Sequence, residues 1–266
     1  SAYVSGRDNL SLRRLEPLRR ARENFEQAIA YDPNYAAAYA GLAESVLLLE
    51  NNHQDLPQAE AFEIARQNLD KALELDPDLA DAYAVEGLLE SKIWQQTRIG
   101  PGNVEAEAAF RRAIELNPNH ASAYMWFASL RDGEERDDEA IELLQRSMEL
   151  DPLGRVPYTN LPTLYAQRGK NEEAIRLWLE AIQIHPEWPM PNQFLAQHLA
   201  GLGPVLVDRL AQLDVLLRQL ALPDRPPDKV AELVGVDGLD GESGPDDVVA
   251  GSARYDRQRR DHRTQR

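Results

Sequence analysis

The chain has 266 residues and a formal net charge of −16, with 29 Lys and Arg against 45 Asp and Glu. An acidic body repels phosphate backbones, which argues against nucleic acid as a partner. The absence of cysteine excludes disulfide staples, thiolate zinc sites and a cysteine nucleophile, and fits an oxidising or a reducing compartment equally well. No stretch approaches the ~20 consecutive apolar residues that a membrane span requires. The sequence opens on Ser1 rather than Met, as expected of a fragment or processed product, which leaves an upstream signal or anchor open.

A short phrase recurs along the chain: "AYDPNYAAAYAGLA", "ELDPDLADAYAVEG", "ELNPNHASAYMWFA" and "ELDPLGRVPYTNLP". Its prolines are Pro33, Pro77, Pro118 and Pro152, followed by Pro186, at gaps of 44, 41, 34 and 34 residues. Other positions keep register with them. Twelve residues before each proline stands Ala21, Ala65, Ala106, Ala140 or Ala174. Eight before stands Phe25, Leu69, Phe110, Leu144 or Trp178, and five before stands Ala28, Ala72, Ala113, Ser147 or Ala181. Six after the first four prolines stands Tyr39, Tyr83, Tyr124 or Tyr158, and Gly87 supplies a small residue in the third unit.

This pattern resembles the tetratricopeptide repeat, whose period is 34 residues. The resemblance implies an all-α fold, a right-handed α-α superhelix in which each unit is a helix pair and stacked pairs share one continuous core. Alanine belongs where two helices come closest, because a larger side chain there costs ~1–3 kcal/mol of overpacking. The proline cannot continue the second helix and pre-sets the turn to the next unit.

In chain order, residues 2–35 form a first repeat whose opening helix is poorly matched and short. Residues 36–79 form the second, with an insertion over Glu50 to Pro57 between its helices. Residues 80–120 form the third, with a loop expected over Trp94 to Asn103 around Gly100-Pro101-Gly102. Residues 121–154 and 155–188 are repeats of standard length, and 189–203 a further first helix. Pro162 stands where the pattern wants a small helical residue, so the first helix of the fifth repeat is either bent or starts late. Glu86 occupies a position that the family fills with leucine. Residues 204–221 predict a capping helix, with Leu206, Leu210, Leu213, Leu217 and Leu220 on one face; a self-associating seam is the rival reading of that face. Residues 222–266, with Pro223, Pro226, Pro227, Pro245 and an arginine cluster from Arg254 to Arg266, read as a low-complexity, disordered tail. No Asn, Ile, Phe, Met or Trp occurs from 204 onward, so a natural tail and a shifted reading frame are both open.

No motif for catalysis, metal or cofactor emerges. His53, His120, His185, His198 and His262 form no helical metal pair, and neither a phosphate loop nor a nucleophile elbow is present. Glu134–Glu135 and Glu172–Glu173 lie at loop-to-helix junctions, where they suit the positive end of a helix. No enzymatic activity and no cofactor are expected; the partner is a protein or peptide. The expected groove is lined by the first helix of each pair. Its residues are Ala37, Ala40, Glu44 and Leu48, then Asp81, Ala84, Leu88 and Lys92, then Ser122, Met125, Ser129 and Gly133 with Trp126 at the margin, then Val156, Thr159, Asn160 and Thr163. This set predicts a small, neutral, mildly apolar groove for an extended or helical peptide. Some tetratricopeptide proteins clamp a terminal carboxylate with Lys, Arg and Asn, but Lys92 and Asn160 are the only such residues in the set and lie two repeats apart.

More narrowly, the opening residues through Glu44 and "AEAAFRRAIELNPNHASAYMWFASL" resemble the tetratricopeptide domain of certain bacterial membrane regulators. Those proteins join a winged-helix or nucleotide cyclase domain, through one membrane helix, to a C-terminal repeat domain. That resemblance implies a sensory or docking module and a periplasmic location, where the repeats alone leave the compartment open.

Overall fold

Small and apolar residues spaced three and four apart place one sticky stripe on each helix, and helices of that kind fold only by meeting one another. The computed structural model describes residues 1–53, 56–97 and 102–201, and these contain eleven α-helices and no strand. They pair in chain order: α1 (Ala2–Ser11) with α2 (Leu15–Tyr31), α3 (Ala36–His53) with α4 (Gln58–Leu75), α5 (Ala80–Thr97) with α6 (Gly102–Leu116), α7 (Ala121–Gly133) with α8 (Asp137–Leu150), and α9 (Pro157–Gln167) with α10 (Asn171–Ile184). A last helix, α11 (Met190–Gly201), follows. By their contacts the residues divide into a unit Ser1–Phe194, which carries the five helix pairs, and a unit beginning at Leu195, of which only the end of α11 is described. The expected capping helix over 204–221 and the tail over 222–266 lie outside the described residues.

The register residues do what their sizes require. Ala21, Ala65, Ala106, Ala140 and Ala174 are fully buried, as are Phe25 and Phe110, and Leu69, Leu144 and Trp178 nearly so. Ala28, Ala72, Ala113 and Ala181 are buried with them, and Ser147 donates a 2.9 Å hydrogen bond to the Ala121 carbonyl of the preceding helix. Gly87 is forced by space: a β-carbon there would lie 2.6 Å from the Phe110 ring.

The turn after each second helix is a repeated device. The Asp32 carboxylate accepts from the Asn34 N–H at 3.0 Å, Asp76 from Asp78 at 3.1 Å, and the Asn117 side-chain oxygen from Asn119 at 3.0 Å. The tyrosine six residues past the proline bonds back to it. Tyr39, Tyr83 and Tyr124 each donate to the carbonyl of Pro33, Pro77 or Pro118, at 3.1, 3.0 and 3.3 Å. Tyr158 departs: it is buried and donates to Glu180 at 3.1 Å instead.

Three expectations change. The opening helix α1 is short as expected, at 10 residues, but it pairs with α2, with Gly6 meeting the Phe25 ring as Gly87 meets Phe110. The apparent mismatch arises because α2 has 17 residues where α8 and α10 have 14, which shifts α1 by almost one turn. The insertions also lengthen helices as well as loops: α3, α4 and α5 each reach 18 residues, and Trp94 to Thr97 continue α5. Finally, α9 starts at Pro157, later in its repeat than α3, α5 or α7, and holds Pro162 within it. The helix thus starts late, but Pro162 remains in its interior.

Candidate interaction site on the first helices

Neighbouring first helices touch: α1 meets α3, α3 meets α5 and α5 meets α7. Among the described residues no two second helices from adjacent repeats make comparable contact. Helices that approach more closely on one side of a stack bend it toward that side, so the first helices form the inner wall of this unit.

The predicted groove residues divide by burial. Ala40, Leu48, Ala84 and Met125 are buried, between 0% and 5% exposed, so they shape the wall without presenting surface. Leu48 packs with Leu10, Leu18 and Phe25 in the first-repeat core, and Met125 and Trp126 join the core around Ala84 and Val85. Half-exposed positions are Ala37, Asp81, Leu88, Lys92, Ser122, Val156, Thr159, Asn160 and Thr163, while Ser129 and Gly133 are exposed. Several polar ones are already satisfied. Ser129 donates to the Met125 carbonyl at 3.2 Å and Thr163 to the Thr159 carbonyl at 2.6 Å. Lys92 Nζ lies 3.7 Å from the Glu50 carboxylate, and burial pushes the Lys92 ammonium below its ordinary pKa. It is a structural cation here, which removes the one lysine a carboxylate clamp would use.

The wall carries charges of both signs. Glu44 of α3 is only 6% exposed, and Arg7 of α1 reaches it at 3.3 Å. Burial pushes the Glu44 carboxyl above the usual range, and the positive charges of Arg7 and Arg13 oppose that rise. Asp81 of α5 lies 2.9 Å from His120 Nε2, and this hydrogen bond holds the Asp81 carboxyl below its ordinary value. His120 also accepts the Ala123 N–H at Nδ1, at 3.2 Å, and so caps α7. The accepting Nδ1 leaves the ring proton on Nε2, facing Asp81. Arg13, in the turn after α1, places its guanidinium carbon 6.0 Å from the centre of the Trp126 ring. Arg7 and Arg13 escaped the sequence reading, in which His120 figures only as a histidine without a metal partner. Allowing one extra turn in α2 aligns Gly6 with Ala128 and therefore Arg7 with the predicted face residue Ser129, a signal that was present.

A second polar cluster is buried behind the wall. The Arg131 side chain is fully buried and meets Glu107 of α6 at 2.6 Å, Glu134 at 2.6 Å and Glu139 of α8 at 3.3 Å. Its guanidinium stacks 4.5 Å from the centre of the Phe127 ring. Glu134 thus serves the C-terminal end of α7 rather than the start of α8, where Asp137, Asp138 and Glu139 fill the first turn. Glu172 and Glu173 do occupy the first turn of α10, as expected.

On the other side, α4, α5 and α6 border a cleft of about 550 Å³ that includes Arg66, Glu86, Glu90, Glu105 and Arg112. Arg66 pairs with Glu90 at 2.6 Å. Burial, then the neighbouring Glu90 charge, push the Glu86 carboxyl upward. Glutamate at this leucine position is accommodated because it lines an open cleft. Among the described residues no group of three or more His, Asp or Glu is placed to hold a metal ion, and no helix is long and apolar enough to cross a membrane.

Residues 105–154 match the family model of the tetratricopeptide repeat. Comparison with characterised proteins returns no match. Among solved structures, the chain is similar to TTC0263, a thermophilic tetratricopeptide-repeat protein of Thermus thermophilus, at 18% identity and a TM-score of 0.61, over 75% of this chain and 100% of that one. It is also similar to PilF of Pseudomonas aeruginosa, at 20% identity and a TM-score of 0.53, over 78% of each chain. At such identities the likeness is one of fold. With the register of buried alanines and the stacked helix pairs, residues 105–154 are tetratricopeptide repeat, and the helix pairs of Ser1–Phe194 share the tetratricopeptide-repeat fold.

Proposed function

We propose that this chain is a noncatalytic scaffold that binds a peptide or protein segment along the inner wall of its first helices. The observation that carries this reading is the contact of α1, α3, α5 and α7 side by side, which presents half-exposed residues of several repeats on one surface. Asp81, Leu88 and Ser122 offer that surface a mixture of apolar contact and hydrogen bonding. Selection of displayed random peptides on the protein tests it. Selected peptides are expected to lose binding to Leu88→Glu and Ser122→Glu, with helicity by circular dichroism unchanged. Peptides that bind both variants as well as the parent place the site elsewhere and refute the assignment. Met125→Glu is a poor probe, because Met125 is buried and its substitution would disturb the core.

A further inference from the structure

We infer that the inner wall of the first four repeats is a receptor for a guanidinium group, an arginine side chain of a partner segment, and that Arg13 of the chain itself occupies it as an internal placeholder. This rests on the groove reading above and names the chemistry of its ligand.

Three kinds of group converge there. Glu44 and Asp81 supply negative charge from α3 and α5. Trp126 of α7 supplies an aromatic face, with the Arg13 guanidinium carbon 6.0 Å from its centre. Arg7 pairs with Glu44 at 3.3 Å, longer than the usual charge-assisted bond, so it leaves that carboxylate capacity to accept more. Arg7 thus pairs with Glu44, the Arg13 charge acts on the same carboxyl, and His120 Nε2 lies 2.9 Å from Asp81. Without the Arg13 side chain the wall holds one carboxylate in excess beside an uncovered indole face. A flat, weakly hydrated cation that can stack and also hydrogen-bond to a carboxylate suits such a place; a compact, strongly hydrated ammonium suits it less.

Arg13 sits there by virtue of its turn. Its φ of 49° is left-handed, and the corresponding turns after α7 and α9 hold Glu135 at 61° and Gly169 at 71°. Glycine therefore serves this turn, and at lower backbone cost than arginine. Burial pushes the Arg13 guanidinium below its ordinary pKa, and the Glu44 charge opposes that fall. The side chain can leave the wall while the backbone turn stays as it is. A site filled from within binds its ligand more weakly in proportion to the fraction of time it stands open.

The test compares the parent chain with Arg13→Gly, using N-acetyl-argininamide as probe at constant ionic strength. The readout is the Trp126 indole N–H resonance, assigned with Trp126→Phe. Arg13→Gly is expected to bind the probe about tenfold more tightly than the parent, as for a site self-occupied nine-tenths of the time. Glu44→Gln in that background removes the gain, and N-acetyl-lysinamide binds more weakly than the arginine probe in both proteins. Equal affinity in parent and Arg13→Gly, or no movement of the Trp126 signal in Arg13→Gly, overturns the proposal. Should Arg13→Gly fail to fold, Arg13→Lys gives the same comparison with a smaller gain. The two readings fail separately: wall-dependent peptides selected without arginine, alongside an unresponsive Arg13→Gly, remove the guanidinium receptor and leave the groove, whereas peptides indifferent to the wall variants remove the groove.

Discussion

Arg131 carries the sharpest prediction for stability. Its side chain has no exposure, yet it bears a charge that three carboxylates, from α6, from the end of α7 at Glu134 and from α8, surround. Substitution by methionine keeps the length and the contact with Phe127 but removes the cation. Glu107 and Glu139, at 29% and 46% side-chain exposure, can rehydrate; Glu134, at 11%, cannot do so fully. Removing one partner of a buried ion pair costs about 3–5 kcal/mol. The thioether packing on Phe127 returns roughly 0.3–1.5 kcal/mol of that. Arg131→Met is thus expected to destabilise by about 3 kcal/mol in urea unfolding, and Arg131→Met with Glu134→Gln to recover part of the loss. Because repeat stacks can unfold in parts, amide exchange in α6 to α8 is the companion measurement, and the loss of protection should concentrate there. The acid limb provides a further check. A hydrogen bond from Arg131 holds the Glu107 carboxyl below the usual range, so its stabilisation is present above the ordinary glutamate value of about 4.3 and disappears as pH falls through the depressed folded value. Arg131→Met should flatten that limb. A loss under about 1 kcal/mol, with no rescue by Glu134→Gln, would refute the view that this charge bolts three helices together.

Glycine substitutions should split in sign. Gly87→Ala gains about 1 kcal/mol of helix propensity but drives a β-carbon to 2.6 Å from the Phe110 ring, so thermal unfolding should show net destabilisation. Gly133→Ala, with nothing nearer than Trp94 at 4.0 Å, should be neutral or stabilising by up to about 1 kcal/mol. His120→Ala removes both a helix cap and the partner of Asp81 and should cost about 1–2 kcal/mol in chemical unfolding, with His120→Asn, which retains a cap, costing less. Since Asp81 is held below its ordinary pKa, the stability it contributes is present above about pH 4 and fades as pH falls through the folded value; His120→Ala should remove that dependence. Burial, with the Glu180 carboxylate beside it, pushes the Tyr158 hydroxyl up to about 12. Its contribution to stability is present below about 10 and lost as pH rises through the folded value, so alkaline difference absorbance should lose one late-titrating tyrosine in Tyr158→Phe.

What could be read from the chain alone was whatever local spacing encodes. An alanine twelve residues before each proline, a bulky residue four later and another small residue three beyond that form a stripe on one helix, and the stripe has meaning only if another helix covers it. Helix pairing and the buried register followed from that, and each of those register positions is buried. The tyrosine six residues past the proline was visible as a pattern; its hydrogen bond to the proline carbonyl was not, because spacing does not reveal where a hydroxyl points.

The wall itself was decided by tertiary structure. Curvature brings Arg13 of the first repeat against Trp126 of the fourth, residues 113 positions apart, and no period relates them. Arg7 against Glu44 and Asp81 against His120 likewise depend on how far each helix pair rotates on the last. That rotation is set by the summed shapes of the side chains between helices. Repeat spacing therefore determined which residues are buried, and packing across repeats decided which charges meet.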